Sequence, residues 1–280
     1  MNRRWIGAWL AGIMLWLCCS GMAQAGVLAR LAAFPDWQKP SLQPAQGDLA
    51  YPDWFAGAWT VTTTLTDLAA PLAPDVLTPG FESNRPYLGQ PIVFQARFVA
   101  ESPRRVGSLR QRSLQIPSLR VPFLQRLFSQ TRSPALISDR AFNGLNLVKA
   151  YLDGSGTDGK SPVLAVKVDP DNPNRQITLL RGDRQLVSTV TDRATESSNA
   201  EEFITTELFQ QEFRGAPQVY FNTVETTTAY THHTEADPSI TADQVTAIYL
   251  SPQDPDYFKA GERPVALYRY RMEFQEGMRN

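Results

Sequence analysis

Period two dominates this chain. Trp59, Val61, Thr63 and Leu65 fall on one side of an extended segment, and Ala58, Thr60, Thr62, Thr64 and Thr66 fall on the other. Such alternation, rich in threonine, reads as a half-buried strand. A second run, Ile92 to Ala100, aligns Phe94, Ala96 and Phe98. Further strands are predicted at 162–168, 175–181, 184–192, 203–213, 217–230, 242–250 and 264–274. The pattern of 203–213 (Phe203, Phe209, Phe213) fits a strand or a helix equally. Asp171-Asn172-Pro173-Asn174 and Gly182-Asp183 supply turn chemistry between strands. Many strands with few intervening helices predict an antiparallel barrel rather than a βαβ fold.

Three stretches break the alternation. Residues 26–53 hold Pro35, Pro40, Pro44 and Pro52 without sustained periodicity, a lead-in expected to wrap the barrel surface. Residues 67–91 are a long proline-rich loop. Residues 139–152 read as a helix: Asp139 can cap it, Phe142, Leu145, Val148 and Leu152 form its apolar stripe, and Gly154 ends it. Just before it, residues 102–138 contain seven arginines (104, 105, 110, 112, 120, 126 and 132) and no acid. The expected organisation is a signal peptide over 1–25, the lead-in over 26–53 and one barrel domain over 54–280, with an insertion at about 102–155.

The signal peptide follows from Arg3 and Arg4, the apolar run Trp5 to Leu17, and Ala23-Gln24-Ala25 before Gly26. It predicts export to an oxidising compartment such as a periplasm. Both cysteines, Cys18 and Cys19, lie inside it. The mature chain therefore has no disulfide, thiolate nucleophile or Cys-ligated zinc. Removing Arg3 and Arg4 from the 27 basic residues leaves 25 against 28 acids, a balance that argues against a nucleic-acid binder.

Residues Trp54-Phe55-Ala56-Gly57-Ala58-Trp59-Thr60-Val61 place Gly-x-Trp at the entry to the first long strand. That opening resembles the start of a calycin (lipocalin-like) β-barrel. The resemblance implies that Trp59, beside Gly57, seals the barrel base, with an arginine of the last strand lying over the indole. Arg269 and Arg271 are the two candidates. More of the chain resembles a little-characterised family of cyanobacterial and chloroplast thylakoid-lumen proteins. The stretches that carry this likeness are Tyr51-Pro52-Asp53-Trp54-Phe55, Thr78 to Arg85, Thr246 to Pro255 and Arg263 to Arg271. It implies a lumenal, photosynthetic setting and brings no catalytic residue.

Candidate chemistry is thin. Gly154-Ser155-Gly156-Thr157-Asp158-Gly159 satisfies G-x-G-x-x-G but follows a helix and leads to a strand, the reverse of a dinucleotide site. Asp169 to Asn174 suggests a calcium loop, yet Asn174 and Leu180 stand where an EF-hand needs Gly and Glu. His232 and His233 are the only histidines, and on a strand they face opposite ways. Asp254, Asp256 and Glu262, with Glu82 and Arg85, would serve hydrolysis only if a cleft gathered them. No catalytic residue, metal or cofactor is predicted.

The leading expectation is a non-enzymatic binding protein holding an apolar small molecule (lipid, pigment or pigment precursor) in a barrel cup. Phe94, Phe98, Tyr268, Tyr270 and Met272 are the candidate lining. The alternatives are an accessory or assembly factor of a thylakoid membrane photosynthetic complex and, third, a hydrolytic enzyme. Arg104, Arg105, Arg110, Arg112, Arg120 and Arg126 are the candidate contacts to an anionic membrane surface or a partner subunit.

Overall fold

A computed structural model describes residues 26–76, 78, 80–102, 134–152, 161–215 and 219–277. The expected signal peptide, the six candidate contact arginines and the Gly154–Gly159 motif lie outside the described residues.

Among the described residues twelve strands build one antiparallel sheet: β1 (Gln43–Pro44), β2 (Ala50–Tyr51), β3 (Gly57–Ala69), β4 (Pro91–Ala100), β5 (Leu136–Ser138), β6 (Val163–Val168), β7 (Arg175–Leu180), β8 (Arg184–Glu196), β9 (Glu202–Arg214), β10 (Tyr220–His232), β11 (Ile240–Leu250) and β12 (Ala266–Glu276). The order is β2-β5-β4-β3-β12-β11-β10-β9-β8-β7-β6, with β1 added on β8. From β6 to β12 each strand pairs with its sequence neighbour, and β12 then returns to β3. The mainly-β antiparallel expectation holds, but among the described residues the sheet does not close into a ring. The sheet curls into a half-barrel whose ends are β2 and β6.

A helix occupies the gap. Helix α2 (Arg140–Leu152) packs against β4 on one side and β6 on the other. Gly144 permits the approach: a Cβ there would meet Gln176 and Val166 at 3.1–3.3 Å. Asp139 caps the helix, its Oδ1 accepting from the Phe142 N–H at 3.0 Å.

The lead-in covers both faces of the sheet. Helix α1 (Val27–Ala32) lies outside, over β9, β10 and β11, where Leu31 and Trp37 pack on Val245, Ala247, Tyr249 and Leu267. The chain then turns inward, so that Leu49, Tyr51 and Phe55 enter the concave side. Strand β9 is buried on both faces as a result: Phe203, Thr205 and Glu207 inside, Ile204, Thr206 and Leu208 outside. Double burial removes the alternation that marks a half-solvated strand, and this is why the pattern of 203–213 reads ambiguously.

Candidate functional site

The concave face has an apolar floor and a polar waist. At the floor, Phe55 is fully buried between Tyr51, Phe98, Tyr230 and Phe274, with ring centroids 4.7–6.2 Å away. Trp59, Val61, Phe203 and Ile240 complete the cluster. The floor is thus closed by many rings, not by one indole. Trp59 is 3% exposed and donates from Nε1 to the Phe55 carbonyl at 2.8 Å.

No last-strand guanidinium lies on that indole, contrary to the arrangement expected for the barrel base. On β12, Tyr268, Tyr270, Met272 and Phe274 face inward with Trp59, so Arg269 and Arg271 between them project to the convex side. Arg269 pairs with Asp243 and sits 5.7 Å from the Phe34 ring centroid. Arg271 pairs with Glu273. Both guanidiniums border a cleft of about 550 Å³ beneath α1. Gly57, with φ +115°, occupies a backbone conformation open to glycine alone, which explains the Gly-x-Trp entry without a cation–π contact.

The candidate lining divides by height. Phe94, Phe98 and Met272 pack into the floor cluster. Tyr268 and Tyr270 lie nearer the mouth, where Phe81 and Leu65 pack on them and Asn84 donates to the Tyr268 hydroxyl at 3.3 Å. Burial, with Tyr151 and Tyr268 adding to it, pushes the Tyr270 phenol well up.

Directly above the floor sits a buried ion network that the sequence pattern does not reveal. Arg140 donates from Nε to Asp48 at 3.1 Å and from Nη2 to Glu207 at 3.0 Å. Arg193 donates to the same Glu207 oxygen from Nε at 2.8 Å, and to Asn174 Oδ1 from Nη2 at 3.0 Å. All four charged side chains are 8–14% exposed. Two guanidiniums and two carboxylates leave the network neutral, which is how it tolerates burial. Burial opposes the Arg140 charge most strongly, but Glu207, Tyr51 and Asp48 outweigh it and raise its pKa. Tyr51 and Tyr230 lie beside the network. Burial raises both phenols, Tyr230 to about 12.

Next to Arg140, a cavity of about 170 Å³ opens between the helix and strands β7–β10. Arg140, Asn174, Gln176, Ser188, Gln211 and Thr226 line it, with Val190, Phe209 and Val224 as its apolar wall. The positions alternate along the strands as inward-facing residues must, so the polar sets of β7, β8, β9 and β10 turn into the cup. Alternation alone marks such residues as the solvated face. Asp48 of the lead-in, Arg140 of α2, Arg193 of β8 and Glu207 of β9 meet only through the fold, and no local motif signals them.

The remaining candidates have structural partners. His232 stacks on Trp54 at 5.1 Å, and His233 Nε2 lies 2.9 Å from Thr241 Oγ1. Asp169 to Asn174 is a turn in which Asp169 and Asn172 accept from the backbone N–H groups of Asp171 and Asn174. Asp254 accepts from the Asp256 N–H, Asp256 pairs with Lys259, and Glu82 pairs with Arg85. Among the described residues no group of three His, Cys, Asp or Glu could hold a metal ion, and no helix is long and apolar enough to cross a membrane.

The convex face holds a second buried acid. Glu225 is fully buried and accepts from Arg30 Nη2 (2.8 Å), Trp37 Nε1 (3.0 Å), Thr227 Oγ1 (2.8 Å) and the Tyr249 hydroxyl (2.6 Å). Arg30 also lies over the Trp37 ring at 4.7 Å. Four donors, two from the lead-in and one each from β10 and β11, make Glu225 the clamp that holds α1 to the sheet.

In comparisons with known proteins, one family profile, a domain of unknown function (DUF6816), matches residues 43–277. No curated protein and no solved structure matches the chain.

Proposed function

The chain belongs to the DUF6816 family, and from that premise we propose that it is a non-enzymatic binding protein whose half-barrel holds a small polar molecule. The observation that carries this reading is the cavity beside Arg140, concave, walled by side chains from four strands and a helix, and rich in amides and hydroxyls. A polar guest fits it better than the lipid or pigment suggested by sequence. At about 170 Å³ the cavity falls short of the ~300–1,000 Å³ typical of drug-sized sites. Phe94, Phe98 and Met272, the aromatic and thioether groups suited to a greasy cup, are already packed in the floor.

The proposal takes residues 1–25 as a cleaved signal peptide and places the mature chain in a thylakoid lumen or periplasm. The four stretches resembling lumenal proteins support that address. Kinship with calycins, as a barrel opened by one gap and bridged by α2, is the fold-level part of the reading.

The test is native mass spectrometry of the mature chain purified from its own host without organic solvent. A stoichiometric polar adduct of low mass, lost on mild unfolding, is the expected result. A stoichiometric lipid or pigment adduct would sink the reading.

One observation favours a second reading, an accessory or assembly factor. At the mouth Phe258 is 91% exposed, and Tyr87, Leu88, Leu164, Val219 and Tyr220 are exposed around the same end. Apolar residues gathered at one rim suit a protein or membrane contact. Cross-linking in isolated membranes, comparing Phe258→Ser with the wild type, separates this role from ligand binding. A photosynthetic-complex subunit captured by wild type and lost in the variant supports it.

A further inference from the structure

We infer that the cavity beside Arg140 takes a neutral, polyhydroxylated molecule about the size of a single sugar ring. The inference rests on the small-molecule reading above and narrows it to a chemical class. Three observations carry it.

The first is charge. Among the described residues, Arg140 is the one charged residue lining the cavity, and its guanidinium is already engaged by Asp48 and Glu207. With Arg193 the network sums to zero. An anion entering here would lose its hydration and find no uncompensated positive charge, while approaching two carboxylates. A cation would meet a guanidinium and no unpaired acid. Neutral guests avoid both costs.

The second is hydrogen-bonding type. Gln176, Gln211, Ser188 and Thr226 each offer both donor and acceptor capacity. Hydroxyl groups, which donate and accept from one atom, match such a mixed set better than carboxylates, which only accept.

The third is size and shape. The cavity measures about 170 Å³. It suits one ring bearing several hydroxyls, with Phe209 and Val224 against its C–H face.

The test titrates the mature chain with D-glucose, D-galactose and myo-inositol as neutral probes and D-gluconate as the charged counterpart, read by isothermal calorimetry and amide NMR shifts. Saturable 1:1 binding of at least one neutral probe is expected, with gluconate at least about tenfold weaker. Gln211→Leu should weaken the neutral probe about tenfold, the cost of one lost hydrogen bond left unmade. Ser188→Ala provides a milder second variant should Gln211→Leu fail to fold by circular dichroism. Gluconate binding more tightly than every neutral probe would overturn the inference yet leave a small polar guest in place. So would a charged polar adduct in the native mass spectrum. Failure of all three neutral probes with the folded protein overturns it as well, and a lipid adduct would remove the underlying reading too.

Discussion

Glu207 and Glu225 sit on adjacent strands, both deeply buried, and point to opposite faces of one sheet. Glu225, outside, holds a single guanidinium and three neutral donors, and its work is to fasten the lead-in. Glu207, inside, is shared by two guanidiniums, and its work is to keep Arg140 and Arg193 neutralised beside an open polar cavity. On the proposed reading, the outer face of the sheet serves architecture and the inner face serves recognition. The clamp has its donors close around the carboxylate, whereas the inner network borders a space lined by further hydrogen-bonding groups.

The largest expected effect breaks the inner site. Glu207→Ala leaves two buried guanidiniums facing each other with Asp48 as the remaining acid, and should cost about 3–5 kcal/mol in urea denaturation. A loss below about 1 kcal/mol would mean that water, not Glu207, compensates those charges. On the outer face Glu225→Gln keeps an acceptor and removes the charge, so a smaller loss of about 1–3 kcal/mol is expected. Hydrogen exchange should accelerate selectively in residues 27–37. Uniform acceleration across β9–β11 would show that the clamp and the sheet unfold together.

Alkaline pH sharpens the inner side of the comparison. Tyr230 has its pKa raised from the model-compound value of 10.0 to about 12 by burial. The unfolded chain therefore releases this proton first. Stability is fully present below about pH 10 and falls as pH rises from 10 to 12, by on the order of 2–3 kcal/mol for Tyr230. Tyr51 adds to the slope in the same direction. Tyr230→Phe should flatten the profile measured by thermal unfolding between pH 9 and 12. The smallest effect belongs to the helix that bridges the gap. Asp139→Ala removes a cap and the partly exposed pair with Arg97, costing about 1 kcal/mol. Stability changes well above 2 kcal/mol would mean that the cap positions α2, and with it Arg140, more tightly than a capping bond allows.

Much of the sheet was legible because alternation is a local property. The strands predicted at 92–100, 162–168 and 175–181 recur as β4, β6 and β7 within a residue or so, and the helix at 139–152 recurs as α2. The gap in the ring was not legible, since pairing between distant strands leaves no local trace. The polar site stayed hidden for a related reason. Gln176, Ser188 and Gln211 occupy the polar half of an alternating pattern, the half that ordinarily meets water. Here the sheet curls so that this half faces inward over part of its width, while Val245, Ala247 and Tyr249 on the outer face of β11 are covered by Leu31 and Trp37 of the lead-in. Parity did contain one available signal. Arg269 and Arg271 share a face with Leu267, opposite to Tyr268 and Tyr270, so both arginines and an inward Trp59 could not meet across β12.

A crystal structure of the mature chain isolated from its own host, without added ligand, tests the central claim most directly. The account predicts a small polar molecule in the space between α2 and β7–β10, hydrogen-bonded to Gln176, Ser188 or Gln211. An acyl chain or pigment threaded into the cup, or this space closed by repacked side chains, would contradict it.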